Sequence, residues 1–320
     1  MIVEILLLLL GLSLVVFGAE ILVDGASSLA RKAGISEFVI GLTIVGMGTS
    51  APEMVVSFLG AIEGNADIAI GNVIGSNIFN TLLILGVTAM ILPMAVTEEN
   101  RRKDIPVNIV ITLLLILLGM SGTIFGIGDN KLSRIDGGIL VACFIAYMVQ
   151  AFIQGRKNAN PEAAEGEVVR PIWLALLMIA GGLAGLIFGG RFFVNSATAI
   201  AQMLGVSDKF IAITILAGGT SMPELVTRIV AAAKKKGQLA LGNILGSNIF
   251  NILLILGGSA LITPLSMSDV SWVDLGVLML SAIIIWGATI TGEKNKIDRA
   301  DGFAFLCIEA AYMAWLFIKL

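Results

Sequence analysis

The stretch Gly48-Thr49-Ser50-Ala51-Pro52-Glu53 recurs 171 residues later as Gly219-Thr220-Ser221-Met222-Pro223-Glu224. A second stretch repeats at the same offset, because Gly71-Asn72-Val73-Ile74-Gly75-Ser76-Asn77-Ile78-Phe79-Asn80 matches Gly242-Asn243-Ile244-Leu245-Gly246-Ser247-Asn248-Ile249-Phe250-Asn251. Matching glycines and prolines extend the alignment without gaps from residue 11 to residue 93. A match of this length at one fixed offset indicates an internal duplication.

The chain around these motifs is strongly apolar. Of its 320 residues 57% are hydrophobic and 13% charged, and the mean hydropathy is +0.98. A soluble domain carries about twice that share of charge, and roughly 20 apolar residues span a bilayer as a helix. We therefore predict an all-α integral membrane protein with ten transmembrane helices, near residues 2–25, 37–60, 68–92, 105–125, 134–154, 171–196, 209–232, 239–263, 270–291 and 300–319.

The duplication and the spans together predict two repeats of five helices. The first repeat covers 1–154, a cytoplasmic linker 155–170, and the second repeat 171–320. An odd number of spans places the second repeat in the membrane upside down. Inverted repeats are the design of secondary transporters, which bind their substrate near the midplane where the repeats meet.

Basic residues in the loops predict the orientation. Fourteen Lys and Arg fall on the side that receives the loops after the odd-numbered spans, and five fall on the side of the N-terminus. The positive-inside rule makes the richer side cytoplasmic. We expect a multi-pass protein of the cell membrane with both termini extracellular.

The duplicated motifs place oxygen-bearing side chains inside apolar spans. Glu53 lies about sixteen residues into its span and Glu224 is its equivalent, and a carboxylate at this depth is costly unless it has a partner. Thr49 and Ser50 lie one turn before Glu53, and Asn72, Ser76 and Asn80 form one stripe on the next span. The chain has no histidine, which excludes an imidazole proton relay and a His-ligated metal. Carboxylates, hydroxyls, amides and carbonyls freed by Pro52 and Pro223 suit a hard cation such as Ca²⁺.

Structural roles remain open for some of these residues. Glycines four apart, such as Gly71 and Gly75, also serve close helix packing. Serine and threonine in membrane helices often bond to the preceding turn. Neither role explains acidic residues that are duplicated beside prolines.

At these residues the chain resembles the Ca²⁺/cation antiporter superfamily, specifically its sodium/calcium exchanger branch. The Gly-Thr-Ser-X-Pro-Glu and Gly-Ser-Asn-X-X-Asn motifs are similar to the two α-repeats of that family. The resemblance implies exchange of Na⁺ for Ca²⁺ by alternating access, with spans 2–25 and 171–196 as the mobile gating pair. It implies Glu53 and Glu224 as central metal ligands. The further ligands that it implies are Thr49, Ser50, Thr220, Ser221, Ser76, Ser247, Asn80 and Asn251, with backbone carbonyls at Gly46 and Ala217.

The chain departs from the patterns of the related branches in three ways. Asn251 stands where the potassium-dependent branch has Asp, and Thr-Ser stands where the proton-coupled branch has Gly-Asn. Both differences favour Na⁺/Ca²⁺ exchange, although a Ca²⁺/H⁺ antiporter remains the alternative. Four residues after each glutamate the halves differ, with Ser57 in one and Arg228 in the other. Either Arg228 snorkels to the cytoplasmic interface, or its charge lowers cation affinity at one mouth.

Other classes of protein fit the sequence less well. A channel usually surrounds an axis along the membrane normal, and a non-transporting scaffold gives no reason for duplicated acidic sites. We expect no enzyme activity and no cofactor. The expected partners are Ca²⁺ and Na⁺ as transported ions and membrane lipid, with no nucleic acid and no obligatory protein partner.

Overall fold

The computed structural model describes residues 1–126, 128–157, 170–205, 219, 221–291 and 295–319. Two expected ligand positions, Ala217 and Thr220, lie outside the described residues, as do 158–169 of the expected linker and most of 209–221. The described helices are α1 Ile2–Ala33, α2 Glu37–Thr49, α3 Ala51–Ile62, α4 Ala66–Ile91, α5 Ile105–Gly119, α6 Ser121–Phe125, α7 Arg134–Lys157, α8 Ile172–Met203, α9 Met222–Ala233, α10 Gly237–Ile262, α11 Trp272–Ala288 and α12 Arg299–Lys319. The described strands are β1 Met94–Ala95, β2 Lys131–Leu132, β3 Leu265–Ser266 and β4 Lys296–Ile297.

Within the described ranges, six helices are long and apolar enough to cross a membrane. They are α1, α4, α7, α8, α10 and α12. The predicted second span is the broken pair α2 and α3, which separates at Ser50, where φ is −83° and ψ is 10°. The predicted fourth span breaks at Met120, between α5 and α6. The predicted ninth span is the shorter apolar helix α11, and the described part of the seventh is α9.

The helices form two compact units, and each unit takes segments from both halves of the sequence. The first unit comprises 1–52 and 154–243, and the second comprises 53–153 and 244–320. Both unit boundaries cut through the duplicated motifs, just before Glu53 and just after Asn243.

A glycine-lined seam joins α1 to α8 in the first unit. A Cβ atom at Gly11 would lie 2.7 Å from the Gly189 carbonyl oxygen, and one at Gly18 would lie 2.9 Å from the Gly182 carbonyl oxygen. Because the partner number falls by seven as the α1 number rises by seven, the two helices run antiparallel. Any side chain larger than hydrogen at these positions would push the helices apart.

The second unit is tied together by contacts between its early and late segments. Strand β1 pairs with β4 and β2 pairs with β3, both antiparallel. Helix α12 packs on α4, where a Cβ at Gly302 would meet the Gly86 carbonyl oxygen. Helix α11 begins with a capping box between Ser271 and Asp274, which satisfies backbone donors that its first turn leaves open.

Two repeat-equivalent asparagines each begin a π-helical segment. Asn80 begins Asn80–Ile84 within α4, and Asn251 begins Asn251–Leu256 within α10. The wider turn of a π-helix disturbs the regular spacing of side chains and is frequent at functional sites.

Candidate ion-binding site

The first unit contains one of the two motif glutamates, at the start of α9. Glu224 is fully buried, and its Oε1 accepts a hydrogen bond from Ser50 Oγ at 3.1 Å. Its Oε2 is buried without a hydrogen-bond partner among the described residues. Thr49 Oγ1 lies 3.3 Å from the Gly46 carbonyl oxygen and 3.4 Å from Asn243 Oδ1, so its one proton can go to either. The break at Ser50 thus directs two neighbouring hydroxyls toward groups of the second repeat.

Arg228, one helical turn after Glu224, is fully buried. The expectation that it snorkels to the interface is therefore wrong, because snorkelling requires an exposed guanidinium. Its positive charge acts on the Glu224 carboxylate. The second repeat consequently carries a fixed cation beside its central carboxylate.

The second unit contains the other motif glutamate, Glu53, which is 1% exposed. Asn72 Nδ2 donates to the Glu53 backbone carbonyl at 3.0 Å and to Ser57 Oγ at 2.9 Å. Ser57 in turn donates to the Ala69 carbonyl at 3.4 Å. Asn72 therefore fixes the turn of α3 that carries Glu53, and its amide nitrogen is engaged by the protein itself.

A chain of asparagines connects α4 and α10 in the second unit. Asn77 Nδ2 donates to the Asn248 carbonyl at 3.1 Å, and Asn77 Oδ1 accepts from Asn251 Nδ2 at 3.0 Å. Asn248 Nδ2 donates to Thr81 Oγ1 at 2.8 Å. The Oδ1 atoms of Asn248 and Asn251 are buried without hydrogen-bond partners in the described part of the chain. These bonds turn the amide nitrogens toward protein and leave amide oxygens as acceptors.

Asn77 and Asn248 stand within the repeated motif, but the sequence alone predicted no role for them. The presence of asparagine at this position in both halves could have indicated a role, since an amide inside an apolar helix needs a hydrogen-bond partner. The remaining described ligand candidates are all buried: Ser76, Asn80, Ser221 and Ser247. The Gly46 carbonyl accepts from the Ser50 backbone amide at 3.2 Å, besides its contact with Thr49.

The chemistry of both clusters is that of oxygen donors. Over the described residues no group of three or more His, Cys, Asp or Glu is placed to hold a metal. A cation here would be bound by single carboxylates combined with hydroxyl and amide oxygens. Buried acceptor oxygens without donors, such as Glu224 Oε2 and Asn251 Oδ1, are costly to leave unsatisfied and favour a positively charged guest.

Relatives with known names match almost the whole chain. The family model described as "Sodium/calcium exchanger protein" matches residues 3–153 and 174–318. The chain is 33% identical to the sodium/calcium exchanger MaX1 of Methanosarcina acetivorans, over 98% of this chain and 99% of that one. It is 37% identical to the putative antiporter CaxA of Alkalimonas amylolytica, with 99% of each chain covered.

The fold is also that of a solved exchanger. The structure of the sodium-calcium exchanger NCX_Mj soaked with Na⁺ and Ca²⁺ superposes with a TM-score of 0.83 at 32% identity, covering 98% of each chain. The predicted fold class, an all-α membrane protein of ten transmembrane helices in two inverted five-helix repeats, is confirmed. The chain is a multi-pass membrane protein and a cation antiporter, and it belongs to the sodium/calcium exchanger family.

Proposed function

We propose that this antiporter exchanges Na⁺ for Ca²⁺ by alternating access, with Glu53 and Glu224 neutralising one Ca²⁺ together. The observation that carries the proposal is the buried carboxylate of Glu224, which has one oxygen held by Ser50 and the other without a donor among the described residues. A divalent ion matches the charge of two carboxylates, and Ca²⁺ accepts six to eight oxygens in flexible geometry.

The further ligands in the proposal are hydroxyls, amide oxygens and carbonyls of both repeats. For the described candidates, burial and oxygen chemistry support the assignment. Thr220 and Ala217 are proposed from the sequence repeat and the family resemblance alone. The full set beside the two glutamates is Thr49, Ser50, Thr220, Ser221, Ser76, Ser247, Asn80 and Asn251, with the carbonyls of Gly46 and Ala217.

Sodium is the proposed counter-ion because of the charge of the site and the similarity of the chain to sodium/calcium exchangers. An empty site with two ionised carboxylates is costly to carry across the membrane, so the protein should change face only when cations fill it. Several Na⁺ can replace one Ca²⁺ among duplicated oxygen clusters. The names of MaX1 and NCX_Mj, both sodium/calcium exchangers, and the amide at Asn251 support Na⁺ over H⁺ and K⁺.

The proposal includes the arrangement in the membrane. The repeats are 1–154 and 171–320, the linker 155–170 is cytoplasmic, and both termini are extracellular in the cell membrane. Helices α1 and α8 form the gating pair, which their smooth glycine seam supports, because no side chains interlock at Gly11 and Gly18. Cysteines introduced in 61–67 should react from outside, and those in 233–237 from the cytoplasm.

Flux in proteoliposomes tests the function. Ca²⁺ uptake should follow an imposed Na⁺ gradient at clamped pH, and Glu53→Gln or Glu224→Gln should each nearly abolish it while the protein still folds. Glu63→Gln, at an exposed carboxylate, is the matched control and should transport normally. Uptake driven by a pH gradient without Na⁺ would establish the Ca²⁺/H⁺ alternative, and normal uptake by either motif variant would overturn the site.

A further inference from the structure

Helix α12 carries a buried carboxyl group at its middle. Glu309 lies ten residues from each end of this 21-residue helix and is 4% exposed. Among the described residues, its Oε2 has no hydrogen-bond partner, and no lysine or arginine pairs with it. The helix is apolar enough to span the membrane, so the group lies near mid-bilayer without a counter-charge.

The neighbours of Glu309 follow from the packing of α12 on α4. Gly302 meets Met90 and Gly86, and Leu306 meets Gly86, so the two helices run antiparallel. Two turns beyond Gly302, Glu309 lies at the level of the π-helical segment Asn80–Ile84, which contacts α12. Residues 80–91 contain no ionisable side chain, so α4 supplies no charge to offset a carboxylate.

The other titratable groups near Glu309 are acidic. Tyr312, one turn further along α12, lies close to Glu309 and donates to Asp274 Oδ1 at 2.7 Å. Arg299 and Asp301 of the same helix are at least eight residues away, which is about 12 Å along the axis. Within the described residues, an ionised Glu309 would therefore have no positively charged group near it to offset its charge.

The first repeat shows that packing does not require an acid here. At the offset of 165 residues that matches Asp136 with Asp301 and Tyr147 with Tyr312, Glu309 corresponds to Phe144. Phe144 is 8% exposed and packs edge-on against Phe250, with ring centroids 5.9 Å apart. An aromatic ring satisfies the equivalent position, so the carboxyl group is an addition of the second repeat.

We propose that Glu309 is a proton-binding site, separate from the oxygens proposed for Ca²⁺ and Na⁺. A carboxylate at mid-bilayer without a partner is costly, and binding one proton removes its charge. The bound proton keeps the carboxyl group neutral where α12 packs against the π-helical segment Asn80–Ile84. Loss of that proton would place a negative charge against the side of α4 that faces away from solvent.

Infrared spectroscopy of the full-length protein in lipid membranes tests this without any transport measurement. At neutral pH, wild type should show the carbonyl stretch of one carboxylic acid more than Glu309→Gln, and this band should disappear as the pH is made alkaline. Glu63→Gln, at an exposed position, is the control and should leave this carboxylic acid band unchanged. If Glu309→Gln does not fold, Glu309→Phe, which copies the first repeat, gives the same difference.

The outcome is decisive in either direction. A carboxylate band lost at neutral pH in the Glu309 variant would overturn the proposal. Since the spectra require no ion flux, failure of the Na⁺/Ca²⁺ assignment and failure of the proton site are distinguishable.

Discussion

The two repeats share a glutamate motif but differ in the electrostatics one turn beyond it. After Glu53 the chain places Ser57, a neutral group that accepts from Asn72 and donates to a backbone carbonyl. After Glu224 it places Arg228, fully buried, whose charge acts on the carboxylate. The duplication therefore preserves the glutamate but not its surroundings, and the two carboxylates cannot be energetically equivalent.

A second pair of positions diverges in the same way. The chain has two tyrosines, Tyr147 and Tyr312, and each lies near an aspartate. Tyr312 donates to Asp274 at 2.7 Å, while the Tyr147 hydroxyl lies beside Asp104 without the geometry of a good hydrogen bond. Asp274 is also bonded by the Ser271 backbone amide and hydroxyl. Asp104 is 9% exposed and is bonded by Asn100 at 3.0 Å. The aspartates beside the two equivalent tyrosines thus differ, because Asp274 is well satisfied and Asp104 is poorly satisfied.

Removing the charge of Arg228, which follows Glu224 but has no counterpart after Glu53, should have the largest effect on the free energy of unfolding. Arg228→Met should lower the free energy of unfolding of the ion-free protein by about 3–5 kcal/mol, since it leaves a buried carboxylate without compensation. Ser57→Ala, the matched change in the first repeat, should cost about 1 kcal/mol for its hydrogen bonds.

Denaturant unfolding in detergent measures both variants, with and without Ca²⁺. Added Ca²⁺ should restore part of the loss in Arg228→Met, because a bound cation replaces the missing charge and stabilises by mass action. Equal stability of the two variants would contradict the comparison.

Replacing each aspartate by asparagine should change the free energy of unfolding in opposite directions. Burial raises the pKa of Asp104 from 3.8 to about 6, so the folded protein holds this proton more tightly than the unfolded chain. The contribution of Asp104 to the free energy of unfolding is fully present below its pKa in the unfolded chain. This contribution is lost as the pH rises through its pKa in the folded protein. The free energy of unfolding of Asp104→Asn should therefore rise relative to wild type as the pH increases through this interval, and the difference should reach about 3 kcal/mol at higher pH.

The second repeat supplies the control. Asp274→Asn should instead lose about 1 kcal/mol, because it weakens a helix cap. The pH dependence of thermal unfolding midpoints checks both variants. A gain for Asp274→Asn, or a loss for Asp104→Asn at neutral pH, would reverse the proposed difference between the carboxylates.

The tyrosines should show the smallest difference. Tyr312→Phe removes a hydrogen bond to a carboxylate and should cost about 1.5 kcal/mol. Tyr147→Phe removes a buried hydroxyl that has no hydrogen-bond partner among the described residues, so its unfolding free energy should be unchanged or slightly higher. Similar losses in both variants would show that Tyr147 is bonded as Tyr312 is.

The sequence predicted the fold because its signals were long and duplicated. Apolar runs located the spans, and the repeat showed which span of the first half corresponds to which span of the second. A loosened helix before Glu53 was expected from Pro52 and the nearby glycines, but the position of the break, at Ser50, was not predicted. The π-helical turns at Asn80 and Asn251 were not predicted, because one extra residue per turn leaves no mark on a hydropathy pattern.

The candidate site was predictable in its residue types but less so in its contacts. Glu53 and Glu224 were evident as acids inside apolar spans. The buried position of Arg228 was not, because sequence does not tell whether a long side chain turns inward or to the interface. The bonds of Asn77 with Asn251 and Asn248 with Thr81 depend on the packing of α4 against α10, which is tertiary information.

The division into two interleaved units bears on how the chain is made. Neither unit is contiguous, since each needs residues both before 154 and after it. The face of α4 around Gly86 is covered by α12, which is synthesised more than 200 residues later. Domains that are contiguous in sequence can fold one after another during synthesis, but here neither unit can be completed before helices of the second half have been made.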